Sequence, residues 1–135
     1  MKLTAGAALV VLVLYGCASA PAVRVSPVAM QGATRVCIIE NPRVKAEFLA
    51  TYRKVLEAKG YKADVVPASS GLGVCPITSK YVAYWNWDLV LYMASVRLDV
   101  YKDGIPAGGA IFQNPGRKSV NEEEELKALA DKLYH

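Results

Sequence analysis

The sequence predicts an α+β fold: a two-layer sandwich, with two helices on one face of a mixed four- to five-stranded sheet, in the order β-α-β-β-β-β-α. Three observations carry this expectation. A helical pattern between Asn41 and Gly60 is flanked by two short β-rich runs. The stretch from Lys80 to Lys102 reads as strand almost without a break. A second amphipathic segment, rich in glutamate at its start, closes the chain.

Ahead of these elements stands an N-terminal leader. Lys2 precedes an apolar run from Leu3 to Leu14, the charged-then-apolar layout of an export signal. The run is about a dozen residues, short of the ~20 that a membrane-crossing helix needs. Leu14-Tyr15-Gly16-Cys17 resembles the lipobox of bacterial lipoproteins, in which the cysteine thiol is diacylated and becomes the new N-terminus. That resemblance implies that residues 1–16 are a lipoprotein signal peptide and that Cys17 is lipidated. An ordinary signal cleaved after Ala18-Ser19-Ala20 is the alternative. Ala18, rather than Asp, follows Cys17, which directs the expected location to the periplasmic side of the outer membrane. Residues 17–33 hold small residues, Pro21 and Pro27, and no periodicity; they read as a lipidated flexible tether. Residues 34–135 are then a single α+β domain.

Composition narrows the function classes. The net charge is +4, but the positive charges are scattered and no basic run is longer than Arg117-Lys118. Nucleic-acid binding needs a basic patch or stripe, so no nucleic-acid partner is expected. The chain has three cysteines. With Cys17 taken by lipid, Cys37 and Cys75 remain as an even pair in an oxidising compartment. A disulfide between them would close a loop of roughly 38 residues, worth about 4 kcal/mol at most in the chain-entropy estimate. Two buried free thiols are the alternative. Two distant cysteines and the terminal His135 do not supply four tetrahedral ligands, so neither metal nor cofactor is expected.

Each element has its own warrant. Arg35 to Glu40, with Val-Cys-Ile-Ile apolar on both faces, reads as a strand inside the sheet. Asn41 as N-cap and Pro42 in the first turn predict a helix start. Val44, Phe48, Tyr52, Val55 and Leu56 recur at helical spacing, and Gly60 takes the C-cap role. Tyr61 to Val66 is the next strand, so strand, helix and strand form a right-handed parallel crossover unit. In the long run, Tyr81, Ala83, Trp85 and Trp87 share one side, with Val82, Tyr84, Asn86 and Asp88 on the other. A turn or bulge is expected near Asn86 to Leu89, since a strand of that length is unusual. Val90, Tyr92, Ala94, Val96, Leu98 and Val100 then share a face that looks like core. Lys102-Asp103-Gly104 signals a hairpin returning through Ile105 to Gln113. Ser119 or Asn121 caps the last helix, whose buried stripe is Leu126, Leu129, Ala130 and Leu133.

Several of these stretches occur together in a known group. Cys37-Ile38-Ile39-Glu40-Asn41-Pro42, Cys75-Pro76-Ile77-Thr78-Ser79, Tyr84-Trp85-Asn86-Trp87-Asp88-Leu89 and Tyr101-Lys102-Asp103-Gly104 span nearly the whole mature chain. In this the sequence resembles a family of short, functionally unassigned proteobacterial lipoproteins. The resemblance implies a periplasmic lipoprotein and brings no catalytic residues with it.

The chemistry points the same way. The one histidine is the last residue, on an end expected to fray. Serines 69, 70, 79, 95 and 119 lack a nucleophile-elbow setting, and Asp88 and Asp99 could be neighbours only by strand register. No enzyme activity is expected. If the Val90-to-Val100 row faces the helices, Leu89, Leu91 and Met93 point to the open face, joined by Trp85 and Trp87 or by Tyr84. Trp85, Trp87, Leu89, Leu91 and Met93 are therefore the candidate partner-binding residues, for a protein partner, a second copy or a stacking glycan. The bland alternative is that the tether or the Ala68–Ser79 loop covers the patch. The expected function is a non-catalytic, membrane-anchored binding or accessory lipoprotein of the cell envelope. A small periplasmic inhibitor, for example of lysozyme, or a phage-type exclusion lipoprotein is the alternative.

Overall fold

A computed structural model describes residues 21–117 and 119–135. The leader, the lipidation site Cys17 and the first residues of the expected tether lie outside the described residues. The fold is α+β, with two helices and a six-stranded mixed sheet. The strands are β1 (Ala22–Ser26), β2 (Arg35–Ile39), β3 (Lys62–Val66), β4 (Ile77–Asp88), β5 (Val90–Lys102) and β6 (Ile105–Gln113). The helices are α1 (Ala46–Ala58) and α2 (Glu122–Leu133). Across the sheet the order is β1-β6-β5-β4-β2-β3.

The crossover unit forms as expected: β2 and β3 run parallel, with α1 between them in sequence. β2 lies inside the sheet, joined to β4 by two parallel rungs, Cys37 with Thr78 and Ile38 with Ser79. β4, β5 and β6 make an antiparallel meander. Asp103 and Gly104, both at positive φ, form the turn between β5 and β6.

The sixth strand is β1. Residues 17–33 were expected to be a flexible tether, but Ala22–Ser26 pairs antiparallel with β6 at the sheet edge. Val23-Arg24-Val25 alternates, with Val25 half-buried against the core and Val23 exposed, and Pro21 and Pro27 bracket the strand where a proline does no harm to the ladder. Val28 and Met30 beyond it are buried. Their backbone bonds tie them to the end of the chain: Val28 N–H donates to Leu133 O, Met30 N–H to His135 O, and His135 N–H to Val28 O. The C-terminus is therefore held, not frayed.

One hydrophobic cluster joins the layers. Val36, Ile38, Tyr81, Ala83, Met93, Val96, Leu98, Val100 and Phe112 of the sheet meet Phe48, Tyr52, Val55 and Leu56 of α1 and Leu126, Leu129, Ala130 and Leu133 of α2. Both helices thus lie on the same face. α2 starts as expected, with Asn121 Oδ1 accepting from Glu124 N–H at 3.0 Å. α1 begins later than the sequence suggests, after Lys45. Asn41 caps a preceding turn instead, its Oδ1 accepting from Arg43 N–H, while its Nδ2 donates to the Tyr81 carbonyl. Pro42 sits in that turn, so its ring starts no helix. Gly60, at φ 94°, ends α1: Gly60 N–H bonds Glu57 O and Tyr61 N–H bonds Leu56 O, the paired closure of a Schellman motif.

Cys37 and Cys75 are joined by a disulfide, with Cα atoms 6.1 Å apart. Cys37 alternates with the core residues Val36 and Ile38, so it points to the face away from the helices. The bond therefore ties the segment between β3 and β4 across that side of β2.

Candidate functional site

β4 and β5 outrun the rest of the sheet. The last rung of β6 on β5 is Gln113 with Ser95, and Ser95 pairs with Tyr84. Beyond that level the rungs Trp85–Met93, Asn86–Tyr92, Trp87–Leu91 and Asp88–Val90 form a two-stranded arm with Leu89 at its apex.

A bulge at the root of the arm decides which side chains face where. Tyr84 pairs with Ser95 but Trp85 pairs with Met93, so Ala94 is the extra residue on β5. Asn114 holds it: its backbone N–H donates to Ala94 O at 2.9 Å and its Nδ2 to Met93 O at 3.2 Å. The extra residue shifts the alternation by one. Val96, Leu98 and Val100 face the helices, and so does Met93, which is 1% exposed and part of the core.

This corrects the expected binding face. Met93 is not on the open side; it is packed under the helices. Trp85 shares its side, with its ring edge-on to Phe48 at a centroid distance of 5.9 Å. Lys45 Nζ lies 4.6 Å from the Trp85 ring, and Trp85 Nε1 donates to the Glu122 carboxylate. Trp85 is therefore a half-buried joint between β4 and the starts of both helices. Val90, expected in the core, is 52% exposed. Tyr92 is buried, but through the opposite face, where Asn86 is its cross-strand partner.

The remaining candidates come together at the outer end of the arm. Trp87 (73% exposed) and Leu91 (51%) are cross-strand partners on the helix side, beyond the reach of the helices. Leu89 (88%) forms the apex at φ 61°, a left-handed conformation that costs a side chain other than glycine about 1–2 kcal/mol. Next to the apex, on the face opposite Trp87 and Leu91, Arg117 donates to Asp88 Oδ2 at 3.3 Å. The Ala68–Ser79 loop does not cover this end, because the disulfide holds it over β2, and residues 22–26 of the expected tether run instead as β1 at the edge of the sheet.

The titratable groups elsewhere serve the fold. Tyr52 OH bonds both Ser79 Oγ (2.8 Å) and Tyr134 OH in the buried core. Burial pushes the Tyr52 phenol well above its ordinary range and that of Tyr134 to about 12, so both hydroxyls stay protonated at neutral pH. Sequence reasoning missed this network, because its members come from α1, β4 and the chain end and share no spacing. Asp88 and Asp99 are not neighbours: Asp88 pairs with Val90 and Asp99 with Lys80. Among the described residues no three His, Cys, Asp or Glu side chains are grouped to hold a metal ion.

Neither a protein-family description nor a curated protein matches the chain. Solved structures do. A PelC dodecamer from Paraburkholderia phytofirmans matches with a TM-score of 0.63 at 11% identity, over 83% of this chain and 98% of that one. A point variant of that PelC dodecamer matches with a TM-score of 0.60 at 10% identity, over 84% and 97%. At such identity the likeness is one of fold, and it extends nearly end to end in PelC.

Proposed function

We propose that this chain is a lipid-anchored, non-catalytic accessory or binding module of the cell envelope, held on the periplasmic side of the outer membrane and assembled from copies of itself. The observation that carries this reading is the Cys37–Cys75 bond. Three cysteines are encoded, so the bond leaves Cys17 over, at the end of a sequence with the lipobox layout. A disulfide also belongs with export, since reducing compartments disfavour it. No described helix is long and apolar enough to cross a membrane. An acyl anchor accounts for membrane attachment without one.

Self-assembly is supported by the fold it shares with the PelC dodecamers. β1 and β3 stand at opposite edges of the sheet, and a head-to-tail contact between unlike surfaces generates a ring when the rotation closes. The test is intact mass and native mass of protein extracted from membranes in detergent. The expected result is a diacylglycerol adduct at Cys17 with a mass deficit for one disulfide, in a multimer. Lipid-free monomer, with the Cys17→Ser variant fractionating as the parent does, would overturn the reading.

A further inference from the structure

We infer that the outer end of the β4–β5 arm, formed by Trp87, Leu89, Val90 and Leu91, seats in the surface of a lipid bilayer. The proposal rests on the lipid-anchored reading, from which the side facing the membrane is taken; the exposure of the arm does not depend on it. The ladder Ala22–Gln113–Ser95–Tyr84 places the start of β1 level with the root of the arm. The chain enters β1 from the same end of the sheet to which the arm projects. From Tyr84 to Asp88 the arm rises about 13 Å. Cys17 lies five residues before Ala22, a span of at most ~18 Å. A lipid on Cys17 is therefore within reach of the plane that Leu89 marks.

The side chains suit that plane. Leu89 is the apex and Trp87 and Leu91 flank it on one face, so that face and the tip are apolar; Val90 lies on the other face, beside Asp88. Indole rings settle at the level of lipid headgroups, and Trp87 is set back by two residues from the apex. Asp88, one residue from the apex on the Val90 face, is matched by Arg117, so the arm seats shallowly, with the Trp87–Leu91 face toward the acyl chains and the ion pair at headgroup level. The convex shape argues against a second copy as the occupant. Four such side chains expose on the order of 500 Å², whereas a standard interface uses about 800 Å² per partner. Glu122, which binds Trp85, opens the four-glutamate turn of α2 at this same end. Contact is thus driven by apolar burial and does not require anionic lipid.

The test uses the full chain carrying Trp85→Phe, which leaves Trp87 as the sole tryptophan of the two, reconstituted in phosphatidylcholine vesicles with brominated acyl chains. Trp87 emission is expected to shift to the blue and to be quenched most by bromine near the headgroup end, with little response to salt. Leu89→Asp is expected to reduce that quenching severalfold while leaving the far-ultraviolet circular dichroism unchanged. If Trp85→Phe does not fold, the same signal is read as the parent minus its Trp87→Phe variant. Full access of aqueous iodide to Trp87 in vesicle-bound, acylated protein would overturn the proposal. So would shielding from both iodide and bromolipid, which would place the arm in another copy. Quenching by bromolipid in the Cys17→Ser variant would support the arm as a membrane contact in its own right, whatever the intact mass shows at Cys17.

Discussion

Removing the Cys37–Cys75 bond is expected to weaken one particular seam. The bond encloses 38 residues, the span that holds β2, α1 and β3. The chain-entropy relation assigns a loop of that size about 4 kcal/mol, an upper figure if the unfolded chain keeps structure. Against a total stability of roughly 5–15 kcal/mol for a domain of this kind, that is a large share. The architecture says where the loss appears. β2 meets β4 through two parallel rungs, whereas β4 and β5 are paired along their full length. The β2-α1-β3 unit therefore joins the meander by a short ladder, by helix packing and by the sulfur bridge. A Cys37→Ala/Cys75→Ala variant should show a lower urea midpoint, close to that of the parent under reductant, and a steeper denaturant dependence as its unfolded state expands. Amide exchange should accelerate most in β2 and β3, and least in β5 and β6. Equal midpoints with and without reductant would refute the stabilisation. Uniform acceleration across the sheet would refute the seam.

Three further outcomes are expected. A Cβ on Gly108 would lie 2.5 Å from the Ser26 carbonyl and 2.6 Å from Val28 Cγ2, so Gly108→Ala should push β1 away and cost about 1–3 kcal/mol; an unchanged thermal melt would refute the close approach. Tyr134 is held protonated to about pH 12 in the folded state, and Tyr52 is raised in the same direction, chiefly by burial. Tyrosine in the unfolded chain ionises near pH 10, so the stability that Tyr134 contributes is whole below that and falls between about pH 10 and 12, by up to ~1.4 kcal/mol per pH unit, with Tyr52 acting in the same direction. Urea midpoints across that range should drop, and less steeply for Tyr134→Phe; a flat profile would refute the buried network. Leu89→Gly should relieve about 1–2 kcal/mol of left-handed strain and lose roughly 0.5–1 in chain entropy. Its melting temperature should therefore hold or rise, and a clear drop would mean that Leu89 is packed.

Local chemistry made much of the fold legible. The Gly60 closure of α1, the Asn121 cap of α2 and the Asp103-Gly104 turn each depend on a few adjacent residues, and each stands where the sequence places it. The parallel pairing of β2 and β3 followed from strand, helix, strand alone. β1 escaped notice because five residues between two prolines carry little pattern of their own. Its partner, β6, lies some ninety residues away. Asn41-Pro42 misled for a related reason. The signature of a helix start is also that of a turn, and the bonds of Asn41 to Arg43 and Tyr81 selected the turn.

The candidate site turned on a single unpaired residue. Between Leu89 and Met93 every side chain is apolar, so the alternation that reveals a strand's buried face is absent there and the phase must be carried in from Val96 to Val100. Ala94 breaks that phase, and nothing in its neighbours announces it; the bulge is set by Asn114, which reaches back from the end of β6. The consequence is physical as well as predictive. Without the bulge, Met93 would leave the core and Tyr92 would enter it. With the bulge, Met93 and Trp85 close the root of the arm under the helices, and the next rung on that side, Trp87 with Leu91, is carried past them into solvent. A strained leucine at the apex then extends the apolar surface where turn chemistry alone would favour glycine or asparagine. A core-anchored root and an uncovered apolar end are what a lever for gripping a soft surface requires, and the same inserted residue produces both.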